Sequence, residues 1–280
     1  MSECQINKIV IFTMESLYSS LTMRFLIPAI KDKIALICLS DPYGGKHGGF
    51  IEQIKKNYRH SGLYFLNYLC VVFVYYLPVI YFKRFILFLV GKKSNFDTVA
   101  NLARQNGIPV YISGDINNLE TENFLKKVKP DLIVSYYFDQ IIKENIFSLS
   151  QIASINVHPA ILPDYRGPFP AFWALKNREE EVGFTVHYID SKLDTGDIIC
   201  QEKFAVPKNC DSVLGVDYEI FRRGALRLPV ILKKIENKSI VGESQAGRGH
   251  YYSYPDKAQI IEAKGNGIKL FSLRDFFKYL

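Results

Sequence analysis

No Cys-x-x-Cys pair occurs in the 280 residues, and the five cysteines, Cys4, Cys38, Cys70, Cys200 and Cys210, form an odd and scattered set. That spacing argues against a disulfide framework and a zinc knuckle, and makes a reducing, cytoplasmic setting the expectation. No Gly-x-Gly-x-x-Gly follows the first apolar run, so a dinucleotide fingerprint is absent. A Gly-x-Ser-x-Gly elbow is missing too, and no cysteine stands in a nucleophile setting, which leaves covalent acyl transfer without a carrier. The segment Ser2-Glu3-Cys4-Gln5 is polar and lacks a basic stretch followed by an apolar one, so no secretion signal is expected. Internal repeats and low-complexity linkers are not found.

What is present is ordinary in bulk. At 48% hydrophobic and 22% charged residues the composition is globular, and global disorder is excluded. The length suffices for a sizeable core in one domain or two. A formal charge of +7 and a pI near 9.0 suit an anionic partner: a nucleotide, a polyglutamylated cofactor, tRNA or an anionic membrane surface. Charge alone does not choose among them.

Taken in order, the chain alternates. Ile6 to Met14 is free of Gly and Pro and predicts a buried first strand. Leu17, Leu21, Phe25, Leu26 and Ile30 are apolar at helical spacing and predict a helix from Ser16 to Ile30, with Pro28 placed to kink it or end it early. Ile34 to Leu39 reads as a second strand, closed by turn chemistry at Asp41-Pro42-Tyr43-Gly44-Gly45. From Asp97 the pattern is regular: helix 98–106, strand 108–112, helix 119–128, strand 132–136. Such alternation predicts an α/β fold with a Rossmann-like, mostly parallel sheet and helices on both faces. Ligands of these sheets sit at the carboxyl ends of the strands, where the run ending at Tyr136 delivers Tyr137, Phe138, Asp139 and Gln140.

Leu63 to Phe82 is strongly apolar, with five tyrosines interleaved and Lys83-Arg84 behind it. It just reaches the about 20 apolar residues of a membrane span. The tyrosines, Asn67 and Pro78 rank a packed helical insertion first, an interfacial helix leaning on a membrane second and a span last. Further on, Asp211 to Ile235 reads as a long helix with Gly224 and Pro229 as break points, and its Arg222, Arg223 and Arg227 read as a solvated face. An aromatic, Gly-rich loop from Gln245 through Arg248 to Pro255 and a short helix from Leu273 to Leu280 close the chain. The expected organisation is a unit of residues 1–208 carrying the helical insertion at about 50–95, then a short C-terminal extension, helix and tail, over 209–280.

Chemistry concentrates in Ser154-Ile155-Asn156-Val157-His158-Pro159, continuing to Tyr165-Arg166-Gly167. Asn156 and His158 are two residues apart, so on an extended backbone they leave the same face of the strand. Downstream, Gly183 to Asp190 reads as a strand and Asp194 as the head of the turn after it. An Asn-x-His on one strand with an Asp on a neighbouring loop is a plausible acyl-transfer set. His158 would serve as general acid and base, Asp194 would orient and charge-stabilise it, and Asn156 would donate to a developing oxyanion. His187, alone on its strand, reads as structural, because two histidines on separate strands without a third strong ligand do not make a metal site. No metal is expected.

Asn156-Val157-His158-Pro159, Leu162-Pro163 with Tyr165-Arg166-Gly167, and Leu193-Asp194-Thr195-Gly196-Asp197 together resemble the folate-dependent formyltransferases, which act on glycinamide ribonucleotide, methionyl-tRNA and sugar nucleotides. The resemblance covers roughly residues 95 to 210, and the separation of 36 positions from His158 to Asp194 suits it. It implies N10-formyltetrahydrofolate as co-substrate and a primary amine as acceptor. It also implies that Phe138, Gln140, Ile141 and Ile142 hold the pterin ring, with the loop from Ile189 through Asp190 to Asp194 as the other wall. The plainer readings are that Ile141 and Ile142 pack the following helix and that Asp190 and Asp197 are turn residues. Arg166 either steadies its loop or meets an anionic substrate, and Trp173 reads as packing.

An amino sugar linked to a nucleotide is the preferred acceptor. tRNA ranks below it, since the last seventy-odd residues read as helix and tail where methionyl-tRNA enzymes carry a β-barrel. A hydrolase that deformylates the same co-substrate is a further alternative. DNA is not expected as a partner, and a homodimer stays open.

Overall fold

The computed structural model describes residues 5–41, 49–92, 94, 96–247 and 249–279. The turn expected at Pro42-Tyr43-Gly44-Gly45, the N-terminal Ser2, Glu3 and Cys4, and Lys93, Arg248 and Leu280 lie outside them.

Strand β1 (Ile9–Met14) is buried along its whole length. Ser16 then caps α1 (Leu17–Ile30) by accepting from the Ser19 amide. Pro28 lies inside this helix, which runs on two residues further instead of ending early. β2 (Ile34–Ser40) follows. The insertion comes next as α2 (Gly49–Cys70), a π-helical turn over Val71–Tyr75, and α3 (Tyr76–Leu89). Then come α4 (Val99–Gln105), β3 (Val110–Ser113), α5 (Leu119–Val128) and β4 (Leu132–Tyr136), close to the predicted alternation. The remainder is α6 (Glu144–Phe147), β5 (Ala153–His158), α7 (Pro170–Lys176), β6 (Glu181–Tyr188), β7 (Ile198–Ala205), α8 (Val213–Glu236), α9 (Lys257–Gly265) and α10 (Leu273–Tyr279).

The sheet among the described residues has the order β3-β2-β1-β4-β5-β6-β7. Its first five strands are parallel, and β6 and β7 add on antiparallel. Alternate residues of β1 serve opposite faces: Ile9 and Ile11 join the core beneath α1 and α8, while Val10 and Phe12 join a smaller core with Leu125 of α5 and Ile146 of α6. Each such fully buried side chain contributes about 1.5–3 kcal/mol. The Rossmann-like, mostly parallel sheet with helices on both faces is therefore what the chain forms.

Two helices are more continuous than their breakers suggest. α8 passes through Gly224 and Pro229 unbroken because it buries an apolar face from Val213 to Ile235, and tertiary packing outweighs an isolated breaker. Gly224 also brings α8 close to β5: a side chain there would meet Val157. Conversely α9, opened by a capping box between Asp256 and Gln259, has no clear apolar periodicity and was not predicted.

Much of the insertion is packed. Phe65, Tyr68, Val71, Val72, Tyr76 and Ile80 are buried in the main core. Tyr18 of α1 and Tyr68 of α2 share a buried hydrogen bond of 2.9 Å, and the Arg84–Asp97 ion pair fastens α3 to the start of α4.

Candidate active site

The strand order reverses between β1 and β4, and β5 pairs with β4, so its carboxyl end lies beside the crevice where such folds bind ligands. In the register with β6, Asn156 stands opposite His187 and His158 opposite Thr185. Asp194 lies in the loop between β6 and β7, and the three candidate side chains converge. Asp194 Oδ1 is 3.4 Å from Asn156 Nδ2, 3.7 Å from His158 Nδ1 and 3.7 Å from His187 Nε2. His158, His187 and Asp194 are all buried.

The hydrogen bonds assign most of the protons. His187 Nδ1 lies 2.8 Å from the Tyr188 carbonyl, which can only accept, so this nitrogen donates. His187 Nε2 is then a lone pair, and it receives Asn156 Nδ2–H at 3.2 Å. Burial agrees: it pushes the His187 imidazole down to about 4, against the opposing pull of Asp194. His158 differs, because both of its ring nitrogens face acceptors. Nε2 is 3.0 Å from the Tyr165 carbonyl, which can only accept, so this nitrogen donates, and Nδ1 faces Asp194 Oδ1 at 3.7 Å, beyond hydrogen-bond distance.

The loop after β5 is built to hold these contacts. Tyr165 adopts a left-handed conformation that turns its carbonyl towards His158, and the Gly167 amide donates to Asp194 Oδ2 at 2.9 Å. Gly167 has φ +98, and a Cβ there would strike the Tyr252 carbonyl. Only glycine fits. Arg166 donates to Gln245 at 2.6 Å, and its backbone bonds to His250 and Tyr252, so it steadies the loop. Trp173 packs on Tyr252 and donates to the Ser253 carbonyl at 2.9 Å.

A cavity of about 390 Å³ opens over these residues, within the usual range for small-molecule sites. Phe138, Gln140, Ile141, Ile142, Asp190, Asn156, His158 and Asp194 all line it. Their side chains are not equally available. Gln140 is committed, accepting from the Ile116 amide and donating to Ser40, both at 2.9 Å. Ile142 is buried in the smaller core, Phe138 packs on Phe12, and Ile141 is exposed. Asp190 accepts from Thr195 Oγ1 at 2.8 Å and from the Lys192 amide at 3.1 Å, which makes its carboxylate the brace of the loop.

Sequence reasoning missed three contributors. His187 was read as structural, yet it supplies the lone pair that fixes the Asn156 amide; its signal was the strand pairing that places it opposite Asn156. Gln245 donates to the Asp194 and Gly196 carbonyls at 3.0 and 2.8 Å and so ties the Asp194 loop to the tail. Asp217 of α8 reaches the cavity beside Phe65, Tyr68, Phe169 and Tyr254. Burial pushes its carboxyl up to about 8, with Tyr18 at 3.5 Å only partly countering.

A comparison with known families matches residues 91–214 to the formyl transferase family. The methionyl-tRNA formyltransferase of Caldanaerobacter subterraneus is 35% identical over 156 residues, 55% of this chain and 50% of that protein. The chain thus spans about half the length of that curated relative. Among solved structures, an N-formyltransferase from Helicobacter canadensis, in complex with folinic acid and dTDP-3-aminofucose, superposes with a TM-score of 0.54 at 19% identity, covering 89% of this chain and 71% of that one. A phosphoribosylglycinamide formyltransferase from Anaplasma phagocytophilum gives 0.56 at 17% identity, over 90% and 100%. At these identities the solved structures establish the shared fold, and the match over 91–214, which contains the Asn156, His158 and Asp194 cluster, identifies that stretch as a formyl transferase domain.

Proposed function

We propose that the chain transfers a formyl group from N10-formyltetrahydrofolate to a primary amine carried by a nucleotide-linked amino sugar. The observation that carries this reading is the convergence of Asn156 and His158 on one carboxylate oxygen of Asp194, all three lining the cavity. The cavity lining suits the co-substrate: apolar Phe138, Ile141, Ile142, Ile189 and Leu193 all line it and would offer a flat pterin apolar surface.

The unprotonated amine attacks the formyl carbon, and negative charge grows on the formyl oxygen. Asn156 Nδ2–H and the His158 ring are the donors placed to receive it. Asn156 holds Asp194 by a long hydrogen bond of 3.4 Å and His158 Nδ1 stands 3.7 Å from it, so neither contact keeps these donors from a better acceptor. Asp194 remains beside both, and the proton lost by the amine passes by way of this pair to the departing folate nitrogen. His187, neutral and fixed by Tyr188, keeps the Asn156 amide aimed.

The amino-sugar nucleotide is supported by the aromatic part of the cavity lining. Phe169 and Tyr254, packed on the buried Phe65 and Tyr68, offer partly exposed rings to a base, and Lys192 of the Asp190 loop offers a cation for phosphate. Methionyl-tRNA is the second reading, motivated by the curated relative and the basic charge. The test is tetrahydrofolate release from N10-formyltetrahydrofolate by the wild type and His158→Ala, offered a dTDP-amino sugar, charged methionyl-tRNA or no acceptor. Release that requires the amino sugar and falls at least a hundredfold in the variant supports the proposal. Release without any acceptor shows a hydrolase, and release with tRNA alone overturns the sugar assignment.

A further inference from the structure

The insertion does more than line the cavity. Between residues 53 and 96 the sequence holds seven Lys and Arg and no Asp or Glu. Within this acid-free stretch, α3 turns Tyr76 and Ile80 into the core and spends Arg84 on Asp97. Spacings of three and four residues place the opposite face outward: Tyr75, Tyr81, Phe82, Phe85 and Leu89 form an exposed apolar stripe, and Phe88 beside it is 77% exposed. The stripe thus takes in the end of the Leu63 to Phe82 run that the sequence singles out and extends past it to Leu89, while much of the earlier part of that run is packed. Lys55, Lys56 and Arg59 before the stripe and Lys92 after it are exposed.

We propose that this face docks the protein onto an anionic lipid bilayer, with the aromatic stripe in the headgroup region and the flanking cations on acidic headgroups. A second copy of the chain is the poorer occupant, because two acid-free, basic faces repel one another. The helical run Ile51–Leu89 is long and apolar enough to span, but its packing in the core opposes that. Beyond the buried Ile80 only ten residues remain to Val90, about 15 Å of helix, half of a hydrocarbon core of about 30 Å. Aromatic side chains with flanking Lys and Arg are the composition of interfacial helices, and each cation near an acidic surface strengthens association roughly fivefold.

The experiment is flotation of the purified full chain with vesicles of phosphatidylcholine alone or with one quarter phosphatidylglycerol, at low and high salt. Phe82→Ser/Phe85→Ser/Leu89→Ser tests the stripe, and Lys55→Glu/Lys56→Glu tests the charge. These residues are exposed and outside the cavity lining, so unchanged circular dichroism and folate binding are expected of both variants. Support is flotation with acidic vesicles at least tenfold above neutral ones, weakened by salt and lost at least tenfold in each variant. The proposal is overturned if the wild type does not float, if the serine variant floats like the wild type, or if the wild type is a dimer in sedimentation that the serine variant dissociates. The outcome is independent of the proposed reaction.

Discussion

Asp217 offers a sharp test of the electrostatics around the cavity. Its carboxyl sits on α8 with 3% exposure, and burial pushes it up to about 8 from an ordinary 3.8. In the unfolded chain it ionises above pH 3.8, whereas in the folded chain it stays protonated until about pH 8. A raised acid contributes stability below the unfolded value and loses it as pH rises, so folding takes up a proton between pH 4 and 8. The cost is about 1.4 kcal/mol per pH unit, roughly 4 kcal/mol by pH 7. Asp217→Asn keeps the shape and removes the proton. Its stability advantage over the wild type should therefore grow by about 3 kcal/mol between pH 5 and pH 7, on top of whatever constant offset the amide brings. Urea unfolding of both proteins at pH 5, 6 and 7 and fixed ionic strength measures the gap. A gap that does not change with pH would refute the reasoning, since it would mean that Asp217 is ionised in the folded protein.

Other outcomes follow from the same contacts. His187 titrates with the opposite sign: its folded value of about 4 lies below the ordinary 6.5, so stability is present above pH 6.5 and falls as the pH drops towards 4. The total loss is about 3 kcal/mol, and His187→Gln should flatten that limb of the urea profile. Asp194→Asn leaves the loop hydrogen bonds available but removes the charge beside His158, and kcat should fall about 10²- to 10³-fold while thermal unfolding moves little; an unchanged kcat counts against the site. Gly196→Ala drives a Cβ into the Tyr188 carbonyl, which should destabilise by about 1–3 kcal/mol and displace Asp194, measured as a lower Tm together with lost activity.

The regular half of the fold was readable because its signals are local. The strand ending at Tyr136 and the helix from Leu119 to Val128 follow from apolar period and breakers within single segments. The same holds for Asn156 and His158, whose two-residue spacing fixes a common face before any fold is known. His187 was undervalued because its role depends on which strand pairs with which, and in what register. Gln245 and Asp217 reach the site from 51 and 23 residues beyond Asp194. Nothing in a helix-forming stretch marks one Asp as facing a cavity, and nothing in a Gly-rich loop marks one Gln as a clamp. Continuity of α8 through Pro229 was likewise invisible, because it is decided by what the helix packs against.

Asp194 explains why its loop and its site form together. It holds φ +52, a left-handed backbone that costs a non-glycine residue on the order of 1 kcal/mol. Aspartate tolerates this conformation better than most residues, yet the strain persists only where neighbours over-determine it. Here they do: Gly167 donates to the carboxylate, Gln245 holds the carbonyl of the same residue, and Gly196 lets the loop press against Tyr188. A hydrogen bond to a charged group contributes about 1.5–3 kcal/mol, enough to offset the strain. The carboxylate that faces His158 and Asn156 is thus also the anchor of the backbone that carries it. Removing the charge therefore acts on the chemistry through His158, whereas removing a clamp such as Gln245 acts through the position of Asp194, and the two routes separate as a kcat effect without, and with, a loss of loop order.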